Sequence, residues 1–206
     1  MITVAAWALL GCLWELLEAS TEGIGEAASV RVAYFLAIAK PLLAKTLSYK
    51  VIYFAVIEAL LLTSIWFVTG KYLVILLTND PTLQHLINNV VAVIGLANVT
   101  MAFSQILWSL TGAQGRYRES MIAMFSSRWL VTIPVAAVSI FAKKLDLNAV
   151  SGSLVVGYAT AACALAYFVV RSDWEGLSRQ MQEEQDDFES DDDEDDSDDD
   201  DTFDDF

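Results

Sequence analysis

Histidine occurs once in this 206-residue chain, cysteine twice and proline three times. A lone His85 and two well-separated cysteines, Cys12 and Cys163, leave no metal-ligand cluster and no disulfide framework. No nucleophile–base pair and no phosphate-cradling glycine loop stands out, so the chain is not read as an enzyme and no cofactor is implied. No cleavable leader is read at the start. The first residues carry no basic stretch, and Glu15 and Glu18 interrupt the apolar run. Basic residues are absent from the end: from Glu183 onward there are seventeen Asp or Glu and no Lys or Arg. Before that point twelve basic and ten acidic residues give a net charge of +2, so the formal −15 belongs to the tail. That balance offers nothing to nucleic acid.

What remains is apolar. Hydrophobic residues make up 55% of the chain, high for a soluble domain. Five stretches have membrane length: about 4–37, 47–68, 83–107, 121–142 and 150–170. They lack the polar outer face that a soluble helical bundle needs. The sequence therefore predicts an all-α, polytopic bundle of five transmembrane helices over residues 1–180, with the lipid bilayer as its first partner. Short connections predict antiparallel neighbours. Residues 181–206 cannot form a core and are expected to be a disordered, Asp/Glu-rich tail. Within it Ser190, Ser197 and Thr202 each have an acid three residues on, which suits an acid-directed kinase.

Lys and Arg set the expected orientation. With the connection after the first stretch in the cytoplasm, that side holds Arg31, Lys40, Lys45, Lys50, Arg116, Arg118, Arg128, Arg171 and Arg179. The other side keeps Lys71, Lys143 and Lys144. The positive-inside rule then puts the N-terminus outside and the acidic tail in the cytoplasm.

Four glutamates break the first apolar stretch. Glu15, Glu18, Glu22 and Glu26 are spaced three, four and four apart; at roughly 100° per residue they fall within an arc of about 80° on one helix face. Each would oppose insertion by about 3 kcal/mol if it faced lipid. They are expected to line a cavity as cation or proton sites, or else to form a polar seam against another helix. Glu58 is a lone acid in the second stretch, read as the partner of a nearby polar group or as a further cavity residue. Asn88, Asn89 and Asn98 in the third stretch either line the cavity or join helices by hydrogen bonds.

Several segments carry a resemblance. EGIGEAASVRVAYFLAIAKPLLAK resembles the eighth helix, and the loop after it, of the multidrug and toxic compound extrusion (MATE) transporters. LTNDP is similar to the segment before their tenth helix, and SLTGAQGRYRE to the loop after it. Trp129 to Pro134 resembles the eleventh-helix pattern, Gly152 and Gly157 match glycines opening the twelfth, and SDWE resembles its end. The match runs from roughly Val4 to Arg179.

The resemblance implies a twelve-helix fold in two six-helix lobes, of which this chain would be the C-terminal lobe from the eighth helix on. It implies efflux of organic cations and other xenobiotics in exchange for H⁺ or Na⁺, coupled through membrane-embedded acids. A carboxylate held out of water can carry a proton or a cation, not both comfortably. The family's eighth-helix acid falls at Cys12, with Glu15 one turn along the same face, and the tenth-helix acid falls near Thr100 or Met101. The glycine pair that usually follows the SVRV segment is replaced by Ala37 and Ala39. A lone lobe would need an opposing wall, from a second lobe or a second copy. The alternative is a non-transporting membrane protein that uses the lobe for interaction or assembly.

Overall fold

The computed structural model describes residues 2–77, 81–143 and 147–183. The acidic run beyond them, with Ser190, Ser197 and Thr202, lies outside the described residues, as do the side chains of Asn88 and Asn89. The described elements are all helices, joined by short turns. It contains α1 (Ile2–Ala37), α2 (Pro41–Leu77), α3 (Pro81–Ala113), α4 (Tyr117–Ser126), a π-helical segment (Ser127–Thr132), α5 (Ile133–Lys143) and α6 (Leu147–Val170). Residues 174–183 form one more helical stretch.

Helix ends follow local chemistry. Pro41 and Pro81 open α2 and α3, where a missing N–H is harmless and the fixed φ suits the first turn. α3 closes in a Schellman motif: Arg116 N–H donates to Thr111 O (3.3 Å), Gly115 N–H donates to Gly112 O (2.9 Å), and Gly115 takes φ +74°. The turn from α1 to α2 is tighter than the sequence implied. Only residues 38–40 lie between the helices, and Ala39 is held at φ +56°. α2 correspondingly takes in residues on both sides of the 47–68 stretch.

Pro134 explains the π segment. It has no N–H for the carbonyl of Leu130 four residues earlier, so the helical ladder must re-register there. Within the segment Thr132 Oγ1 donates to Ser127 O at 3.2 Å. Ser127 Oγ instead leaves its own helix and donates to Gly157 O of α6. A Cβ at Gly157 would run into Thr132, so the α6 backbone lies close against the π segment.

α3 is the hub, packing against α1, α2 and α6. Val32 and Leu36 of α1, Ile106, Leu107 and Leu110 of α3, and Leu165 and Val169 of α6 form the core. Residues 174–183 close that end of the bundle. Trp174 is buried there, Met181 packs on the core, and Ser178 Oγ donates to Leu36 O at 2.7 Å. Residues 181–183, read from sequence as the start of the tail, are therefore helical.

Outside this core the surface is inverted relative to a soluble protein. Leu42, Tyr53, Leu61 and Val68 on α2, and Met121, Leu130, Val138 and Phe141 along α4–α5, are exposed. So much exposed apolar surface fits a hydrocarbon solvent. Among the described residues four stretches are long and apolar enough to cross a membrane: Pro41–Thr69, Ala92–Ala113, Tyr117–Phe141 and Asn148–Val170. α1 is not among them; Glu15, Glu18, Glu22, Glu26 and Arg31 punctuate its described part.

Candidate functional site

α1 is one unbroken helix, so the four glutamates do share a face. Their surroundings differ. Glu15, Glu22 and Glu26 are exposed, and their carboxylates make no hydrogen bond or ion pair among the described residues. Glu18 is half-buried, and Gln105 Nε2 of α3 donates to its Oε1 at 3.0 Å.

A glycine makes that contact possible. A Cβ on Gly25 would lie 2.6 Å from Ser109 Oγ of α3, so α1 and α3 run close there. Two turns earlier on α1 sits Glu18; one turn earlier on α3 sits Gln105. Gly23, by contrast, faces open space.

Aromatic groups complete the surroundings of Glu18. Trp14, one turn before it, stacks on Tyr158 of α6 with ring centroids 6.1 Å apart. Tyr158 is within electrostatic reach of both Glu18 and Arg128. The Arg128 guanidinium lies 5.7 Å from the centroid of the Tyr158 ring. Three helices and the π segment thus bring together Trp14, Glu18, Gln105, Arg128 and Tyr158.

Sequence reasoning singled out only Glu18 of these five. Gln105 was signalled by being polar within an apolar stretch. Arg128 was counted with the basic connection. It falls inside the 121–142 stretch read from sequence and inside the Tyr117–Phe141 span, so it does not belong in the positive-inside count.

The other expected site residues sit elsewhere. Glu58 accepts hydrogen bonds from Ser20 Oγ (2.7 Å) and Thr21 Oγ1 (3.3 Å), so it ties α2 to α1. Asn98 is buried between α2 and α3. Its Nδ2 donates to Thr63 Oγ1 at 3.1 Å, and Thr63 in turn donates to Gly95 O at 3.3 Å. That is a helix-joining role. Thr100 is half-buried and donates to Ala97 O of its own helix at 2.9 Å. Cys12 is exposed.

A model of the MatE family matches residues 2–138. The chain belongs to the MatE family. The family is one of membrane transporters rather than enzymes, so the chain is an integral membrane protein in contact with lipid. Among solved structures it is similar to the eukaryotic MATE transporter AtDTX14, with a TM-score of 0.80 and 20% identity. The likeness covers 89% of this chain but 40% of that one, so the chain corresponds to a partial lobe of the MATE fold. No curated protein matches the chain.

Proposed function

We propose that this MatE chain forms the C-terminal part of a xenobiotic antiporter, with Glu18 as the carboxylate that holds either the coupling ion or the organic cation. The observation that carries this reading is the environment of Glu18. Of the four glutamates it alone is half-buried and held by a partner side chain, Gln105. Aromatic faces attract cations, by about 0.5–2 kcal/mol depending on exposure, and Trp14 supplies one a turn away, backed by its stacking on Tyr158.

The exchange follows from charge. A proton or Na⁺ on Glu18 removes the attraction for an organic cation, and loss of that ion restores it. Coupling needs no covalent step, only mutual exclusion at one carboxylate and alternating access of the site. Glu15, Glu22 and Glu26 then serve as an acidic approach to it. The second wall of the path comes from a second lobe or a second copy. The remaining basic residues favour an outside N-terminus and a cytoplasmic tail.

Efflux of a fluorescent organic cation from cells carrying the chain, alone or with a supplied first lobe, tests this reading. Efflux that falls to background with Glu18→Gln supports it. Efflux from the Glu18→Gln protein equal to that of the parent contradicts it.

A further inference from the structure

Arg128 poses the problem of the glutamates with the sign reversed. It lies eleven residues beyond Tyr117 in a 25-residue apolar span, roughly 17 Å along the helix at 1.5 Å per residue. The hydrocarbon core is about 30 Å thick; counted from Met121, past Arg118 and Glu119, Arg128 is still about 10 Å along the helix, so it stands inside the core. A cation there opposes insertion by about 3 kcal/mol unless something answers its charge. Among the described residues no carboxylate forms an ion pair with it: the single ion pair is Arg116 with Glu119, and Arg128 lies over the ring face of Tyr158.

Beside it is a cavity. Between the π segment and α6 runs a groove of about 320 Å³, bordered by Met124, Trp129, Ile133, Leu154 and Tyr158, with Arg128 as its one charged wall. That volume is in the range of small-molecule sites. Two of the hydroxyls that line it are already engaged: Ser127 donates to Gly157 O and Thr132 to Ser127 O. The guanidinium is the one charged group left to recognise a polar group, with the Tyr158 hydroxyl on the same wall. The π segment that shapes this wall is a type of irregularity frequently found at functional sites.

We propose that this groove binds a free organic acid: one negative charge, a carboxylate or sulfonate, on Arg128, and an apolar body along Trp129, Ile133 and Leu154. Guanidinium pairs with such groups through two parallel N–H donors. The depth of Arg128 disfavours a phospholipid phosphate, which is held at the membrane surface. Glu18 does not line the groove, although Tyr158 belongs both to it and to the surroundings of Glu18.

The test titrates the purified full-length chain, in phosphatidylcholine nanodiscs, with two fluorescent probes. 8-Anilinonaphthalene-1-sulfonate carries the charge; N-phenyl-1-naphthylamine has the same rings without it. After subtraction of empty nanodiscs, the parent chain should bind the sulfonate about tenfold or more tighter, the equivalent of 1.4 kcal/mol. Arg128→Gln should erase that preference and leave amine binding intact, while Arg128→Lys should keep part of it. Equal binding of the two probes by the parent, or a preference that survives Arg128→Gln, overturns the proposal. Should Arg128→Gln fail to fold, competition on the parent decides: benzoate must displace the sulfonate probe and benzyl alcohol must not, and the reverse overturns the site. Nanodiscs enriched in phosphatidylglycerol separate the sources. Undiminished probe binding there supports a free acid; loss of binding makes a lipid headgroup the occupant and overturns the assignment.

Discussion

Gln105 Nε2 donates a hydrogen bond to Glu18 Oε1 across 3.0 Å, joining residues 87 positions apart in the chain. That single contact distinguishes Glu18 from the three other acids of its stripe. A hydrogen bond to a charged group contributes about 1.5–3 kcal/mol. Gln105→Leu should therefore weaken binding of a cation at Glu18 by about tenfold or more, while helical content stays unchanged. Calorimetric titration with tetraphenylphosphonium, alongside circular dichroism, checks both halves.

Gly25 should resist substitution. Its Cβ would sit 2.6 Å from Ser109 Oγ and 3.3 Å from Ser109 Cβ, and overpacking of this kind costs about 1–3 kcal/mol. Gly25→Ala should lower the thermal midpoint, and adding Ser109→Ala should recover most of the loss. Thermal unfolding of the two single variants and the double variant gives the coupling directly.

Asn98 should matter for stability rather than for exchange. Its bond to Thr63 lies between α2 and α3 and does not involve Glu18. Interhelical hydrogen bonds in membranes average about 0.6 kcal/mol and reach about 1.7. Asn98→Ala should therefore lower the unfolding midpoint modestly and leave cation affinity within about twofold. Both are read on the same purified protein.

Ala39 offers a stabilising change. It occupies the left-handed region at φ +56°, which costs a residue with a Cβ roughly 1–2 kcal/mol. Glycine removes that strain but loses more backbone entropy on folding, by about 0.5–1 kcal/mol. Ala39→Gly should thus raise stability by a net of up to about 1 kcal/mol, seen as a higher thermal midpoint.

The helical, membrane-spanning character was legible because it is written in runs of apolar residues that no soluble bundle could cover. The family was legible in short exact segments such as AASVRV. The glutamate stripe was legible as a stripe, but not which member is enclosed. All four lie in one arc, and what separates Glu18 from Glu15 is a glutamine on another helix. Asn98 illustrates the same limit. Its residue type fits a cavity or a helix seam equally, and only the position of Thr63 shows it in the seam. Arg128 was hidden for a different reason. It falls inside the 121–142 stretch, yet its charge alone placed it with the cytoplasmic residues. Here Tyr117–Phe141 carries the span through that residue, with the π segment and Pro134 inside it.

The most direct test of the account is cation binding by each of the four glutamate variants. Purified chain is titrated with tetraphenylphosphonium by calorimetry, as the parent and as Glu15→Gln, Glu18→Gln, Glu22→Gln and Glu26→Gln. The account predicts that Glu18→Gln weakens binding by about tenfold or more, while each of the other three changes it by no more than about twofold. Unchanged affinity in Glu18→Gln, or a larger loss at Glu15, Glu22 or Glu26, would contradict the assignment of Glu18 as the carboxylate that holds the cation.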